Sequence, residues 1–493
     1  MTHSSHPAPS HPTSMQSLEL TLERLLNFGV QRGFLDRLDV AEARNALLDL
    51  FKLEQPWSGP LPAGLAGEAL DSATGLLDEL VAAAIDRGLI DGAVYAQRAL
   101  FDTRIMGCLI PRPSTVSARF NDLRSQSSEA ATDYFYRLSI DSNYIRTAEI
   151  ARNRQFTTET EFGPIEITIN LTKPEKDPKQ IALEKLLPPS SYPTCLLCPE
   201  NVGYAGRLNF PARQTLRIVP LQLAGEDWYL QYSPYVYYNE HCIVLGERHE
   251  PMVINRWTFA ALLDFTSQFP HYFCGSNADL PIVGGSILNH NHFQGGRATF
   301  PMDRAEGLEA FTHPDYPEVS IRHLHWPLTS LRLQSASREA LVALADHLLH
   351  TWRGYSDAAV EVLATSLVDG QLTPHNTITP IARQVEPGLF QLDLVLRDNR
   401  TTEDLPLGIF HPHPEIHHIK KENIGLIEVM GLAILPGRLL TELGELTENV
   451  QNVIGQTFAQ GLVHCGVFKL DPAGFAALER FMATAGCIKG GQA

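Results

Sequence analysis

Apolar side chains recur at helical spacing near the start of the chain, where Leu18, Leu20, Leu22, Leu25, Leu26 and Phe28 predict an amphipathic helix. A second stripe, Leu76, Leu77, Leu80 and Val81, follows the break at Pro56-Trp57-Ser58-Gly59-Pro60. The spacing therefore predicts a mainly helical region over residues 16–155, preceded by a disordered His/Pro/Ser-rich extension at 1–15. Near residue 162 the period shortens to two. Ile165-Glu166-Ile167-Thr168-Ile169-Asn170 alternates as a strand does. Further strands are expected at Leu216–Leu221, Trp228–Tyr232 and Cys242–Leu245, with a helix over Phe259–Phe269. After Pro301 the order partly repeats. A helix is expected at Arg338–Arg353, strands at Val360–Leu363, Asn376–Ile381 and Phe390–Leu396, and a last helix at Leu440–Phe458. This is an α+β pattern, a helical leader followed by two halves at 156–305 and 306–493. The halves share too little sequence to establish a repeat.

Composition narrows the classes. A chain of 493 residues with 44% hydrophobic and 19% charged residues has the make-up of a soluble globular protein. Its formal charge of −17 argues against a nucleic-acid partner. No apolar run approaches the roughly 20 residues that span a bilayer, so no membrane association is expected. Seven cysteines do not suit a secreted disulfide framework, which points to the cytoplasm.

The chemistry concentrates in Gly284-Gly285-Ser286-Ile287-Leu288-Asn289-His290-Asn291-His292-Phe293-Gln294-Gly295-Gly296. On an extended segment His290, His292 and Gln294 point to one side. A neutral histidine is a nucleophile, and a phosphorus–nitrogen bond made to it can be broken in a second step. Flanking glycines let backbone approach a phosphate closely. Nucleotidyl transfer needs these parts.

Upstream, Cys195-Leu196-Leu197-Cys198 has the spacing of half a zinc site, or equally of a redox pair. His249 and His290 are the natural further ligands, with His241 and Cys242 as competitors.

Together with Phe101-Asp102-Thr103-Arg104-Ile105-Met106-Gly107, Cys195–Arg207, Tyr232–His249 and His411–Gly437, these motifs resemble the galactose-1-phosphate uridylyltransferases. The match is closest to the bacterial class II branch of this histidine-triad family. The resemblance implies two histidine-triad-like halves with mainly antiparallel sheets. It implies exchange of UMP between UDP-glucose and galactose 1-phosphate through a covalent uridylyl-histidine, with His292 as nucleophile and Gln294 on the transferring phosphoryl group. It implies zinc, with iron as the alternative, on Cys195, Cys198, His249 and His290, no organic cofactor, and a homodimer. Substrate contacts are expected from Lys173, Lys176, Asn277, Ser286 and Lys421. Rival readings are a nucleotide-sugar or dinucleotide phosphorylase, and a catalytically silent zinc-structured binding protein.

Overall fold

The computed structural model describes residues 17–60, 62, 64, 70–172, 190–368 and 370–490. The expected extension at 1–15, Lys173 and Lys176 lie outside the described residues. The leader is helical, with helices at Leu18–Gln31, Val40–Phe51, Thr74–Asp86, Tyr95–Gly107, Pro113–Arg124, Ser128–Asp141 and Thr147–Ile150. Ser17 caps the first by accepting the Leu20 amide at 3.3 Å, and the predicted leucine stripe supplies its buried face.

Among the described residues sixteen strands follow: β1 (Arg154–Thr160), β2 (Gly163–Asn170), β3 (Val219–Leu223), β4 (Glu226–Tyr232), β5 (Cys242–Gly246), β6 (Phe273–Gly275), β7 (His292–Gly296), β8 (Gly307–Thr312), β9 (Ser320–Leu324), β10 (Ser330–Ser335), β11 (Thr365–Val368), β12 (Gln371–Pro374), β13 (Asn376–Glu386), β14 (Leu389–Asp398), β15 (Leu432–Pro436) and β16 (Ile488–Lys489). Eleven of them form one sheet in the order β16-β8-β9-β10-β14-β13-β6-β7-β5-β4-β3. Every pairing in it is antiparallel. β1, β2 and β15 make a separate small sheet.

The large sheet reveals a repeat that residue identity hides. In the first half three strands lead to a helix at Arg256–Gln268, then to β6 and β7. In the second, β8–β10 lead to a helix at Arg338–Gly354, then to β13 and β14. The halves join edge to edge where Cys274 of β6 opposes Ala382 of β13. Counting outward from that pair, Gln391 takes the place of Gln294, and Leu389 that of His292. The second half thus has the framework without the histidine.

Alternation sorts the two faces of the sheet. Phe293, Cys274, Ala382 and Leu392 enter a core shared with both long helices and the helical leader. Phe273, Ile381 and Val395 enter a second core with β2, β15 and the helix Glu448–Cys465. Behind β7, Phe293 stacks on Trp228 with ring centroids 4.7 Å apart and planes 8° from parallel, and Trp257 lies against both rings, at 5.3 Å from Trp228 and 6.3 Å from Phe293. His292 and Gln294 take the opposite face.

Local departures from the predicted elements have local causes. Val360–Leu363 is not a strand. Ala358–Val360 forms a 3-10 turn, and Glu361 is left-handed at φ 61°, which an extended run cannot hold. The predicted Leu440–Phe458 helix is two, Arg438–Leu443 and Glu448–Cys465, separated at Gly444 with φ 73°. Leu216 closes a turn onto the Arg213 carbonyl, so the first strand of the sheet starts only at Val219.

Phe293→Ala would remove the ring that backs β7. Its expected cost is about 3–5 kcal/mol of unfolding free energy, as for other buried aromatic truncations. Urea denaturation followed by tryptophan fluorescence checks this; an unchanged midpoint would mean that the stack bears no load.

Candidate active site and metal centre

The centre of the site is built by pairing of β5 with β7, in which Leu245 opposes His292 and Cys242 opposes Gly295. Beyond the ladder the two segments stay attached. Gly246 donates to the Asn291 carbonyl at 3.0 Å, Asn291 to Glu250 at 2.7 Å, and Met252 to Leu288 at 2.8 Å. These bonds carry His249 alongside His290, with ring centroids 5.2 Å apart.

Cys195 and Cys198 complete a four-residue cluster with the two histidines. One ligand atom from each of the four lies within 4.8 Å of all the others. The sulfurs are 3.4 Å apart, His290 Nδ1 is 3.3 Å from Cys195 Sγ, and His249 Nδ1 is 3.2 Å from Cys198 Sγ. His241 and Cys242, the competing ligands, are not in the cluster. His241 turns to Gln294, and Cys242 is buried within the sheet.

The donor set suits a cation that accepts sulfur and imidazole nitrogen. His290 Nε2 lies 2.9 Å from the Gly246 carbonyl and must donate to it, which leaves Nδ1 as a lone pair facing the thiols. Burial opposes ionisation of Cys195, yet His290, when a proton occupies Nδ1 in place of a cation, and the Leu197 amide outweigh it and pull its thiol down. Burial and the adjacent Cys195 push Cys198 up. Two sulfurs this close cannot both ionise without a positive charge between them, and a tetrahedral metal supplies one. The loop itself is shaped by Asn201, fully buried, whose amide donates to the carbonyls of Cys195 at 2.7 Å and Cys198 at 2.8 Å. Asn201 was not singled out from the sequence, although an asparagine three residues past the second cysteine is a turn-forming signal.

His290 precedes β7, and only His292 and Gln294 share its face. His292 is buried, and its Nδ1 lies 2.8 Å from the carbonyl of His290. A carbonyl can only accept, so Nδ1 carries the proton and Nε2 presents a lone pair. Among the described residues Nε2 has no hydrogen-bond partner. Burial, with the His290 ring nearby, lowers the pKa of His292 to about 4, and a neutral imidazole results.

Gln294 is half-buried, with its Oε1 3.1 Å from Nε2 of the buried His241. The glycines flanking this segment meet protein. A Cβ on Gly295 would stand 2.6 Å from the Phe273 carbonyl, and one on Gly285 would stand 2.7 Å from the Asn277 amide nitrogen. They permit close strand packing, which differs from the expected backbone cradle for a phosphate.

The remaining expected residues fall around this centre. Asn277 is buried, and its Oδ1 accepts the Leu426 amide at 2.8 Å, tying the first half to the 424–429 segment. Ser286 is exposed. Lys421 is exposed too, whereas its neighbour Lys420 is buried against Glu428. Of the histidines in the segment His411–Gly437, only His413 joins a clustered group among the described residues. His413 stacks on His464 with centroids 4.2 Å apart and lies near Glu415. Among the described residues no helix is long and apolar enough to cross a membrane.

Comparison with known proteins agrees with this geometry. Residues 63–251 match the model of the galactose-1-phosphate uridyl transferase N-terminal domain, and residues 265–460 that of its C-terminal domain. A galactose-1-phosphate uridylyltransferase of Caldanaerobacter subterraneus subsp. tengcongensis is 52% identical over 95% of this chain and 98% of its own length. Those of Clostridium acetobutylicum and Bacillus subtilis are 46% and 45% identical, each over 94% of this chain and 98% and 97% of theirs. The crystal structure of yeast Ap4A phosphorylase Apa2 aligns with 71% of this chain and 94% of that one, at 12% identity and a TM-score of 0.37, a likeness that carries no argument. A buried histidine on β7 with its Nδ1 held by a carbonyl, a Cys/Cys/His/His cluster beside it and 52% identity over nearly the full length to one of these enzymes converge: the chain belongs to the galactose-1-phosphate uridylyltransferase family.

Proposed function

We propose that this protein is a UDP-glucose–hexose-1-phosphate uridylyltransferase of galactose metabolism. The observation that carries the reading is the His292 imidazole, its Nδ1 proton held by the His290 carbonyl at 2.8 Å and its Nε2 without a partner among the described residues. Its neutral tautomer is fixed by geometry before substrate arrives.

In the first step the Nε2 lone pair attacks the α-phosphorus of UDP-glucose. The phosphorus–nitrogen bond forms as the bond to the bridging oxygen breaks, and glucose 1-phosphate leaves with that electron pair. In the second, a phosphate oxygen of galactose 1-phosphate attacks the same phosphorus, the phosphorus–nitrogen bond breaks, and its electrons return to Nε2. UDP-galactose departs. The leaving group of the first step and the nucleophile of the second are phosphates already ionised near neutral pH, and the imidazole is neutral, so no strong general base is required. The rate then depends on positioning and on donors aimed at the equatorial oxygens. The Gln294 amide is one such donor. Asn277, Ser286 and Lys421, with Lys173 and Lys176, are proposed substrate contacts.

Cys195, Cys198, His249 and His290 would hold zinc, which supplies a structural cross-link and no proton or electron to the transfer. Its value is mechanical, since one of its proposed ligands, His290, also carries the carbonyl that orients His292. The family resemblance supports a homodimer in the cytoplasm.

His292→Ala is expected to abolish exchange, to below about one part in 10⁴ of wild type, with circular dichroism and zinc content unchanged. Initial rates with both substrates varied should give the parallel reciprocal lines of a ping-pong reaction. Exchange at wild-type rate by the variant would refute the mechanism. Cys195→Ala is expected to lose most of its bound zinc, as read by plasma mass spectrometry, and equal zinc in variant and wild type would remove Cys195 from the ligand set. Asn201→Ala removes the side-chain donor from the Cys195 carbonyl and leaves the Cys198 carbonyl only the backbone amide of residue 201, costing about 1–3 kcal/mol of stability. Its thermal midpoint should fall with all four ligands intact.

A further inference from the structure

Gln294 poses a problem that its own sequence position does not solve. An amide side chain has a donor end and an acceptor end of nearly the same shape, and either can face the site. Only the NH₂ end helps a negatively charged phosphoryl group; the oxygen would repel it. Something must therefore fix which end points inward.

His241 does so in this structure. It directly precedes β5, and Cys242 opposes Gly295 on β7, so the His241 ring reaches Gln294 across the sheet. Its Nε2 lies 3.1 Å from Gln294 Oε1. The ring is buried, with Tyr238 at 4.4 Å and Tyr237 at 5.6 Å between centroids, which leaves it little freedom to turn. Its backbone is fastened as well, since Ser233 donates to the His241 carbonyl at 2.8 Å. The preceding residue, Glu240, is held by Tyr272 and, at 3.0 Å, by Arg297.

The tautomer of His241 decides the orientation of Gln294. Its Nδ1 is buried and has no hydrogen-bond partner among the described residues. If Nδ1 carried the proton, a buried N–H would be left unsatisfied, and orphaned donors are rarer in folded proteins than under-satisfied acceptors. With the proton on Nε2, the orphan is an acceptor and Nε2–H donates to Oε1. Burial also lowers the pKa of His241 to about 4, so one nitrogen only is protonated near neutrality. The Gln294 Nε2 then faces the open side of β7, where no described residue satisfies it.

We infer that His241 is a positioning residue for uridylyl transfer: its Nε2–H locks the Gln294 amide so that both amide hydrogens face the phosphoryl group. The inference rests on Gln294 serving as a phosphoryl donor in the reaction proposed above. It assigns His241 no contact with substrate, which distinguishes it from the metal-ligand role its sequence position allowed.

A double-variant cycle tests it. His241→Phe keeps the ring and removes the donor, whereas His241→Gln places an amide donor near the same point. His241→Phe and Gln294→Ala should each lower kcat by about tenfold to a thousandfold, the range for losing one oriented donor to a transition-state oxygen. KM for UDP-glucose should change less than kcat. The double variant should be no slower than Gln294→Ala alone, and His241→Gln should recover most of the rate. Independent, multiplicative losses in the double variant would overturn the inference, because His241 would then act without Gln294. Wild-type kcat in Gln294→Ala would instead overturn the role of Gln294, and the inference with it. If His241→Phe fails to fold, His241→Gln and His241→Asn decide by the same cycle: a cost for Asn that disappears in the Gln294→Ala background supports the lock, and a cost that persists there refutes it.

Discussion

One residue, His290, ties the two parts of the site together. Its Nδ1 faces Cys195 and Cys198, its Nε2 donates to the Gly246 carbonyl, and its own carbonyl accepts from His292 Nδ1. Three polar groups on one residue thus bind the cluster, the neighbouring strand and the proposed nucleophile. A shift of His290 would change the tautomer or aim of His292 without touching that ring. The cluster can therefore serve transfer while remaining outside it, and its ligands need no exposure to substrate. His249, the exposed member, closes the cluster from the solvent side.

Below this connection the fold supplies stiffness. β7 lies between β5 and β6 in the continuous sheet, with Phe293 stacked on Trp228 on one face and His292 and Gln294 on the other. Gly296, at φ 152°, passes where a Cβ would lie 2.7 Å from the Glu240 carbonyl. The glycines at the end of β7 let three strands crowd together, so precision comes from backbone packing more than from any single side chain. The second half repeats the scaffold but places Leu389 where His292 stands, and it is left to supply the 411–429 segment that packs on Asn277.

Much of this was legible in the sequence because the signals are local. The 3.6 and 2 periodicities located two of the leader helices and the strands β2–β5, β13 and β14, and Cys-x-x-Cys with His249 and His290 named the four clustered residues. What escaped depends on pairing between distant segments. No spacing rule places His241 on Gln294, since that contact follows from the β5–β7 register; as a histidine beside a cysteine, His241 looked like a ligand. The carbonyl that fixes His292 belongs to the residue two before it, a backbone path that side-chain patterns do not encode. Gly444, an isolated glycine within a helical pattern, split a helix that periodicity alone would continue. The repeat is carried by strand order, where Gln391 and Gln294 correspond although their neighbours differ.

The central claim is that His292 carries the uridylyl group between two sugar phosphates. Intact-protein mass spectrometry after mixing with UDP-glucose tests it most directly. The account predicts the mass gain of one uridylyl group, mapped to His292, that disappears when galactose 1-phosphate is added and yields UDP-galactose. An adduct cleared by inorganic phosphate or water but not by the sugar phosphate would contradict the acceptor. Folded, zinc-loaded protein that forms no adduct would contradict the mechanism itself.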